Sequence, residues 1–231
     1  MCGRYSLICI DDLGNRFRVF NPMIGARPKF NIAPGTRQPV VVSGAGGREL
    51  LTMQWGLIPR WTKELRAARP VINARAETLA EKPLFRHLLK TKRCLVPASG
   101  FFEWKKEGTK KIPFYISLPD QPLFAFAGLR DEWHDPGGTV LATYTIITTE
   151  PNTLVAGIHN RQPVILLQEH EELWLTGDQP AAGQLREMTA PYPAGQMAVH
   201  PASPLVNTPS NDDERVVRPV DSLDRQYTAT G

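Results

Sequence analysis

The sequence predicts an α+β protein: a strongly bent, mainly antiparallel β-sheet with a barrel-like core and a few short flanking helices. Runs rich in β-branched and aromatic residues dominate the 231-residue chain, as strands require. Stretches of turn-forming residues separate them at short intervals, the spacing of an antiparallel sheet. The 21 prolines are spread along the chain; they interrupt long helices and argue against a helical bundle. Hydrophobic residues at 42% and charged residues at 22% are near the globular average, and the length suits one domain over residues 1–231. From 211 to 231 the periodicity fades, which predicts a loosely held tail.

Taken in order, residues 11–20 carry the first helical pattern. Strand patterns follow at 39–43 and 48–56, joined by the turn SGAGG. Residues 83–91 read as a helix with Leu84, Phe85, Leu88 and Leu89 on one face. The long run RCLVPASGFFEW gives a strand over 94–104, followed by strands at 113–118, 123–129, 140–149 and 163–167. KKEGTKK, PDQP and DPGG supply the turns. Short helical patterns close the series at 169–175 and 181–188. Trp55 and Trp133 lie inside strand patterns and are expected in the core.

The formal charge of +4 suits a polyanionic partner such as nucleic acid without requiring one. Three cysteines, Cys2, Cys9 and Cys94, form no CxxC pair, and no signal-peptide core follows the N-terminus. A reducing cytoplasm fits that pattern. No apolar run approaches the roughly eighteen residues of a membrane span. Phosphate-cradling and dinucleotide-binding glycine motifs are absent, as are HExxH and zinc-like spacings, so no metal and no cofactor are expected. There is no GxSxG elbow either, and any nucleophile must come from elsewhere.

The chain begins MCGRYSL. If Met1 is removed, Cys2 presents an α-amine and a thiol on adjacent carbons. The amine condenses with an aldehyde to an imine, and the thiolate closes on the imine carbon to a five-membered thiazolidine. The same pair also suits an N-terminal nucleophile hydrolase. Position alone leaves a third reading open, a buried small side chain. Elsewhere, polar residues are embedded in apolar runs. Glu103 lies between Phe102 and Trp104, where burial raises a carboxyl toward a useful acid/base range; an alternating strand with Glu103 on its wet face fits the pattern equally. His159 stands in AGIHNRQPV beside Arg161, and a lone histidine is commonly structural. In an extended Asn73, Ala74, Arg75, the amide and the guanidinium point to one side and can share a ligand, or can simply be solvated.

Read together, MCGRY, FNIAPG, WGLIPRW, INARAET, RCLVPASGFFEW, AGLRDEW, TIITTEPN and IHNRQPVIL resemble the SOS response-associated peptidase family of abasic-site shielding proteins. The motifs occur in order through most of the chain. The resemblance implies a compact α+β fold and a mature Cys2 that crosslinks to the ring-opened sugar of an abasic site in single-stranded DNA, as a monomer acting at DNA in the cytoplasm. It implies Cys2 as nucleophile, Asn73 as the group that positions the terminal amine and the sugar, Glu103 as acid/base, and His159 as second proton donor. Removal of Met1 by the protein itself and weak strand cleavage through the imine are implied too. Arginines beside these motifs, Arg4, Arg75 and Arg161, can clamp phosphates, and Trp61 and Trp104 can stack on flanking bases. A peptidase acting on other substrates and a non-catalytic binder of modified DNA are the alternative functions.

Overall fold

The expected strand over 94–104 breaks in the structure at Ser99, and the break separates two sheets. The structure, a computed structural model, describes residues 2–21, 26–135 and 137–220. Its strands are β1 (Tyr5–Leu7), β2 (Lys29–Ile32), β3 (Arg37–Gly44), β4 (Gly47–Trp55), β5 (Asn73–Arg75), β6 (Arg93–Ala98), β7 (Gly100–Glu107), β8 (Lys110–Ser117), β9 (Phe124–His134), β10 (Val140–Thr149), β11 (Gln162–Pro163) and β12 (Ala198–Pro201). The helices are α1 (Leu13–Phe17), α2 (Pro83–Arg86), α3 (Leu88–Thr91), α4 (Thr153–Ala156), α5 (Gln168–Leu175) and α6 (Ala182–Met188), with short 3-10 turns between elements.

Strands β10, β4, β3, β6 and β9 pair in that order, and β9 pairs back onto β10, closing a five-stranded barrel. Closure removes the exposed edges that an open sheet would present. Most pairings are antiparallel; β10 with β4 and β10 with β5 are parallel. The second sheet runs β12, β8, β7, β1, β2. The α+β class and the bent, mainly antiparallel, barrel-like sheet are therefore as the sequence predicts.

At the corner, the Ser99 N–H donates to the Ser6 carbonyl at 2.8 Å, and the Ser99 hydroxyl accepts from the Ile8 N–H at 3.0 Å. Gly100 follows because a Cβ there would stand 2.3 Å from the buried Tyr115 hydroxyl. The barrel core is aromatic at its centre. Tyr5 meets Trp55 and Phe126 edge-on at 5.2 and 5.8 Å, and its hydroxyl shares a 2.8 Å hydrogen bond with that of Tyr144. Trp55 and Trp133 are both buried, as expected.

Four further expectations need correction. The helix over 83–91 is two, α2 and α3, interrupted at His87. The strand over 163–167 is confined to β11, because the following residues change partners: Val164 N–H donates to Ile147 of β10, then Leu166 N–H donates to Ala125 of β9. A segment that bridges two strands buries its apolar side chains without forming a ladder of its own. The helix over 11–20 shrinks to α1, ended by Arg18 in the left-handed region at φ 53°. From 211 the chain is not loose as far as 220. Asp212 accepts from the Phe30 and Asn31 N–H groups at 2.7 and 3.0 Å, and Val216 is buried. Residues 221–231 of the expected tail lie outside the described residues.

Candidate active site

Four separate segments converge beside β1. Cys2 lies just before that strand, separated from it by Gly3 and Arg4, and is fully buried. Its carbonyl accepts a 2.8 Å hydrogen bond from Asn73 Nδ2 at the start of β5, a strand positioned by its parallel pairing with β10. Asn73 Oδ1 is also buried and has no hydrogen-bond partner among the described residues, leaving one acceptor at the Cys2 backbone. The Cys2 thiol lies 3.9 Å from the Arg4 carbonyl. Burial, reinforced by the Glu103 carboxylate, pushes the thiol well above the usual cysteine range, so it is held protonated.

Glu103 is on β7 opposite Phe114. The wet-face reading fails here, because the first four residues of β7 are all buried and Glu103 is 2% exposed. Here Phe102 packs under Val206 and Val216 of the 3-10 segments, while Phe101, on the same face as Glu103, packs into the barrel core. Burial raises the Glu103 carboxyl to about 7, so it can give or take a proton near neutrality.

His159 follows α4. Asn152 caps that helix by accepting from Val155 N–H at 2.9 Å, and the His159 N–H returns to the Val155 carbonyl at 2.9 Å. The cap is itself fixed by Gln162, whose Oε1 accepts from Asn152 N–H at 2.9 Å. This loop brings His159 Nδ1 to 3.8 Å from Glu103 Oε2. Burial lowers the His159 ring below its ordinary value, favouring the neutral imidazole at pH 7. A protonatable carboxyl, a neutral imidazole and an amide thus surround one cysteine, an arrangement that can move protons around a carbonyl carbon.

The residues expected to contact DNA are placed unequally. Arg75 and Trp61 are exposed, Trp61 to 59%. Arg4 is half-buried and donates to Asn31 Oδ1 and the Val206 carbonyl at 2.9 and 3.0 Å. Arg161 is forked onto Glu77 at 2.5 and 3.0 Å. Trp104 packs on the cluster around Phe102, and its Nε1–H reaches Asn207 Oδ1 at 2.9 Å. Sequence reasoning missed Glu77, although it lies within INARAET. It also missed the segment 59–70, where Arg60, Lys63, Arg66 and Arg69 are exposed beside Trp61. Alternating charges and small residues there hide a basic surface from any periodic pattern. Among the described residues no group of three or more His, Cys, Asp or Glu side chains is placed to hold a metal ion. No helix among them is long and apolar enough to cross a membrane.

The chain has relatives. The abasic site processing protein YoqW of Bacillus subtilis is 42% identical over 221 residues, covering 94% of this chain and 99% of its own. The abasic site processing protein HMCES of Xenopus tropicalis is 33% identical over 218 residues, covering 80% of this chain and 64% of its own. Among solved structures, a Bacteroides thetaiotaomicron protein superposes with a TM-score of 0.86 at 30% identity, covering 95% of this chain and 100% of its own. The profile described as SOS response associated peptidase (SRAP) matches residues 1–209, from the buried N-terminal cysteine to the segment that closes the second sheet. Sequence and fold agree over that whole span, and the chain belongs to the SRAP family.

Proposed function

We propose that this chain, once Cys2 is its first residue, captures abasic sites in single-stranded DNA as a covalent thiazolidine and so shields the lesion. The observation that carries the reading is the pinning of Cys2 by Asn73 beside the Glu103–His159 pair. Relatives described as abasic site processing proteins, 42% and 33% identical, support the substrate.

The chemistry follows from the groups present. The abasic sugar opens to its aldehyde, and the Cys2 amine adds to the aldehyde carbon. Glu103, with a carboxyl near 7, accepts a proton from the resulting ammonium and returns one to the hydroxyl that leaves as water. The thiol sulfur then adds to the imine carbon while its proton passes to nitrogen, so one water is lost overall. Because burial keeps the thiol protonated, the amine attacks first and the sulfur second. His159 donates to the opening ring oxygen, and the free Asn73 Oδ1 accepts from the amine and fixes its direction. Imine that escapes ring closure eliminates the 3′ phosphate, giving weak lyase activity. The same site removes Met1.

Arg75, Trp61 and the basic segment around them hold the strand through phosphates and stacking. Arg4, Arg161 and Trp104 contribute at the rim, where phosphate shares them with their internal partners. The experiment is to mix mature protein with an abasic oligonucleotide and run a denaturing gel. Wild type retains the DNA and Cys2→Ala does not; an adduct of equal yield in Cys2→Ala overturns the reading. Mass spectrometry of the purified N-terminus of Glu103→Gln tests whether Met1 removal uses this site.

A further inference from the structure

We infer that Glu77 is a positioning residue for His159, acting through Arg161, and that it sets the rate of the proton step rather than the binding of DNA. The inference rests on the capture reading only in giving His159 a proton to move. Its basis is a relay of contacts. His159 Nδ1 is 3.1 Å from the Arg161 N–H nitrogen and 3.1 Å from the Arg161 carbonyl oxygen. The two backbone groups that flank the Arg161 Cα therefore serve both states of the ring. Without a proton, Nδ1 accepts from the N–H; with one, it donates to the carbonyl.

Such a pair of groups is useful only if the Arg161 backbone stays in place, and the Arg161 side chain anchors it. Nη1 and Nη2 donate to the two Glu77 oxygens at 2.5 and 3.0 Å, and Nη2 also donates to the Thr148 carbonyl at 2.6 Å. The Arg161 side chain is 14% exposed and that of Glu77 is 51% exposed, so Glu77 closes the guanidinium from the outside. A bidentate fork fixes orientation as well as distance. Hydrogen bonding to Arg161 lowers the Glu77 carboxyl below its ordinary value, which keeps the fork charged at neutral pH. Glu77 also sits in the turn Ala76–Thr78, directly after β5. The fork thus ties the strand that carries Asn73 to the loop that carries His159, and it holds the two halves of the site at one spacing.

The test is Glu77→Gln, an isosteric change at a half-exposed side chain that weakens the fork. In single-turnover reactions with an abasic oligonucleotide, the adduct rate at saturating DNA falls about tenfold, as a loosened reacting group predicts. The half-saturating DNA concentration stays within about twofold of wild type. In the DNA-free protein, the 15N resonance of His159 Nδ1 moves, because the balance between accepting and donating changes; Arg161→Lys moves it the same way, since an ammonium has no planar fork. An unchanged rate at saturation overturns the inference, including the case where Glu77→Gln merely binds DNA more tightly because a carboxylate competing for phosphate has gone. An unmoved His159 resonance overturns it too. If wild type forms no Cys2-dependent adduct, the capture reading fails by itself, and the DNA-free spectrum still decides whether Glu77 governs His159.

Discussion

Glu103 holds its carboxyl near 7 because burial withholds the water that would stabilise its charge. The consequence reaches beyond the proposed reaction. Between its ordinary value of 4.5 and about 7, the folded protein keeps a proton that the unfolded chain has released. Stability is therefore fully present below about pH 4.5, declines by about 3 kcal/mol as pH rises to about 7, and levels off above it. Glu103→Gln removes the ionisation, so the variant lacks that decline. Urea unfolding of both proteins at pH 5 and pH 8 checks this, and an equal pH dependence would show that the fold does not raise the Glu103 pKa. The same variant forms adduct more slowly while binding abasic DNA as wild type does; parallel loss of both would make Glu103 a structural residue. The two alternatives left open for Glu103 by its sequence were separated by burial alone, since the period of a strand does not say which of its two faces is the wet one when both Phe101 and Phe102 are buried.

Arg93 opens β6 and is 4% exposed, and among the described residues its guanidinium hydrogen-bonds to no carboxylate, Asp178 acting on it only through its charge. Instead it donates to the carbonyls of Trp174, Leu89, Lys90, Thr176 and Gly177. These are the last carbonyls of α3 and α5 or the residues just beyond, groups that have no partner within their own helices. A cation at two helix C-termini is favourable for both dipoles. Arg93→Ala leaves five buried or half-buried carbonyls without this donor and should cost about 3 kcal/mol or more. Arg93→Lys recovers little, because one ammonium offers three donors without the planar fork. Chemical denaturation monitored by tryptophan fluorescence is a direct reading, since Trp174 sits at the contact; a loss under about 1 kcal/mol would mean that water replaces the guanidinium. Sequence showed helical patterns at 83–91 and 169–175, the first of which the structure divides into α2 and α3, yet it showed nothing of this staple, because an arginine beginning a strand looks like any surface charge.

Across the whole molecule, the C-terminal segment closes the second sheet. Asn31 donates through Nδ2 to the Thr208 and Asn211 carbonyls at 3.0 and 2.7 Å, while its Oδ1 accepts from Arg4. Asp212 accepts from the two N–H groups of β2 and pairs with Lys29 at 2.7 Å. Beneath them Val206 and Val216 pack on Phe102 and Tyr115, with Glu103 next along β7. Asp212→Ala leaves both β2 donors unpaired and should destabilise by about 1–3 kcal/mol. Faster exchange of the Phe30 and Asn31 amides, measured by NMR, accompanies that loss. Unaltered exchange would show that water takes over from the carboxylate. The expected loose tail failed over 211–220 because its stabilising contacts are polar and reach back some 180 positions, and such contacts leave no periodic trace.

Composition, strand patterns and turn residues determined the fold class by themselves, because alternation, β-branching and proline placement act on the local backbone wherever the chain goes. The ordered motifs determined the family and the four candidate site residues as sets of letters. Only the tertiary structure decided that β10 closes the barrel through both β4 and β9, that Ser99 divides two sheets, and that Cys2 and Asn73, 71 positions apart, share a hydrogen bond. It also decided which arginines are open: Arg75 faces solvent, whereas Arg4 and Arg161 are engaged by Asn31 and Glu77. The physical reason is the range of the forces. Backbone preference is local and is written in neighbouring residues, whereas burial, pKa and ion pairing depend on whatever the folded chain brings within a few ångströms.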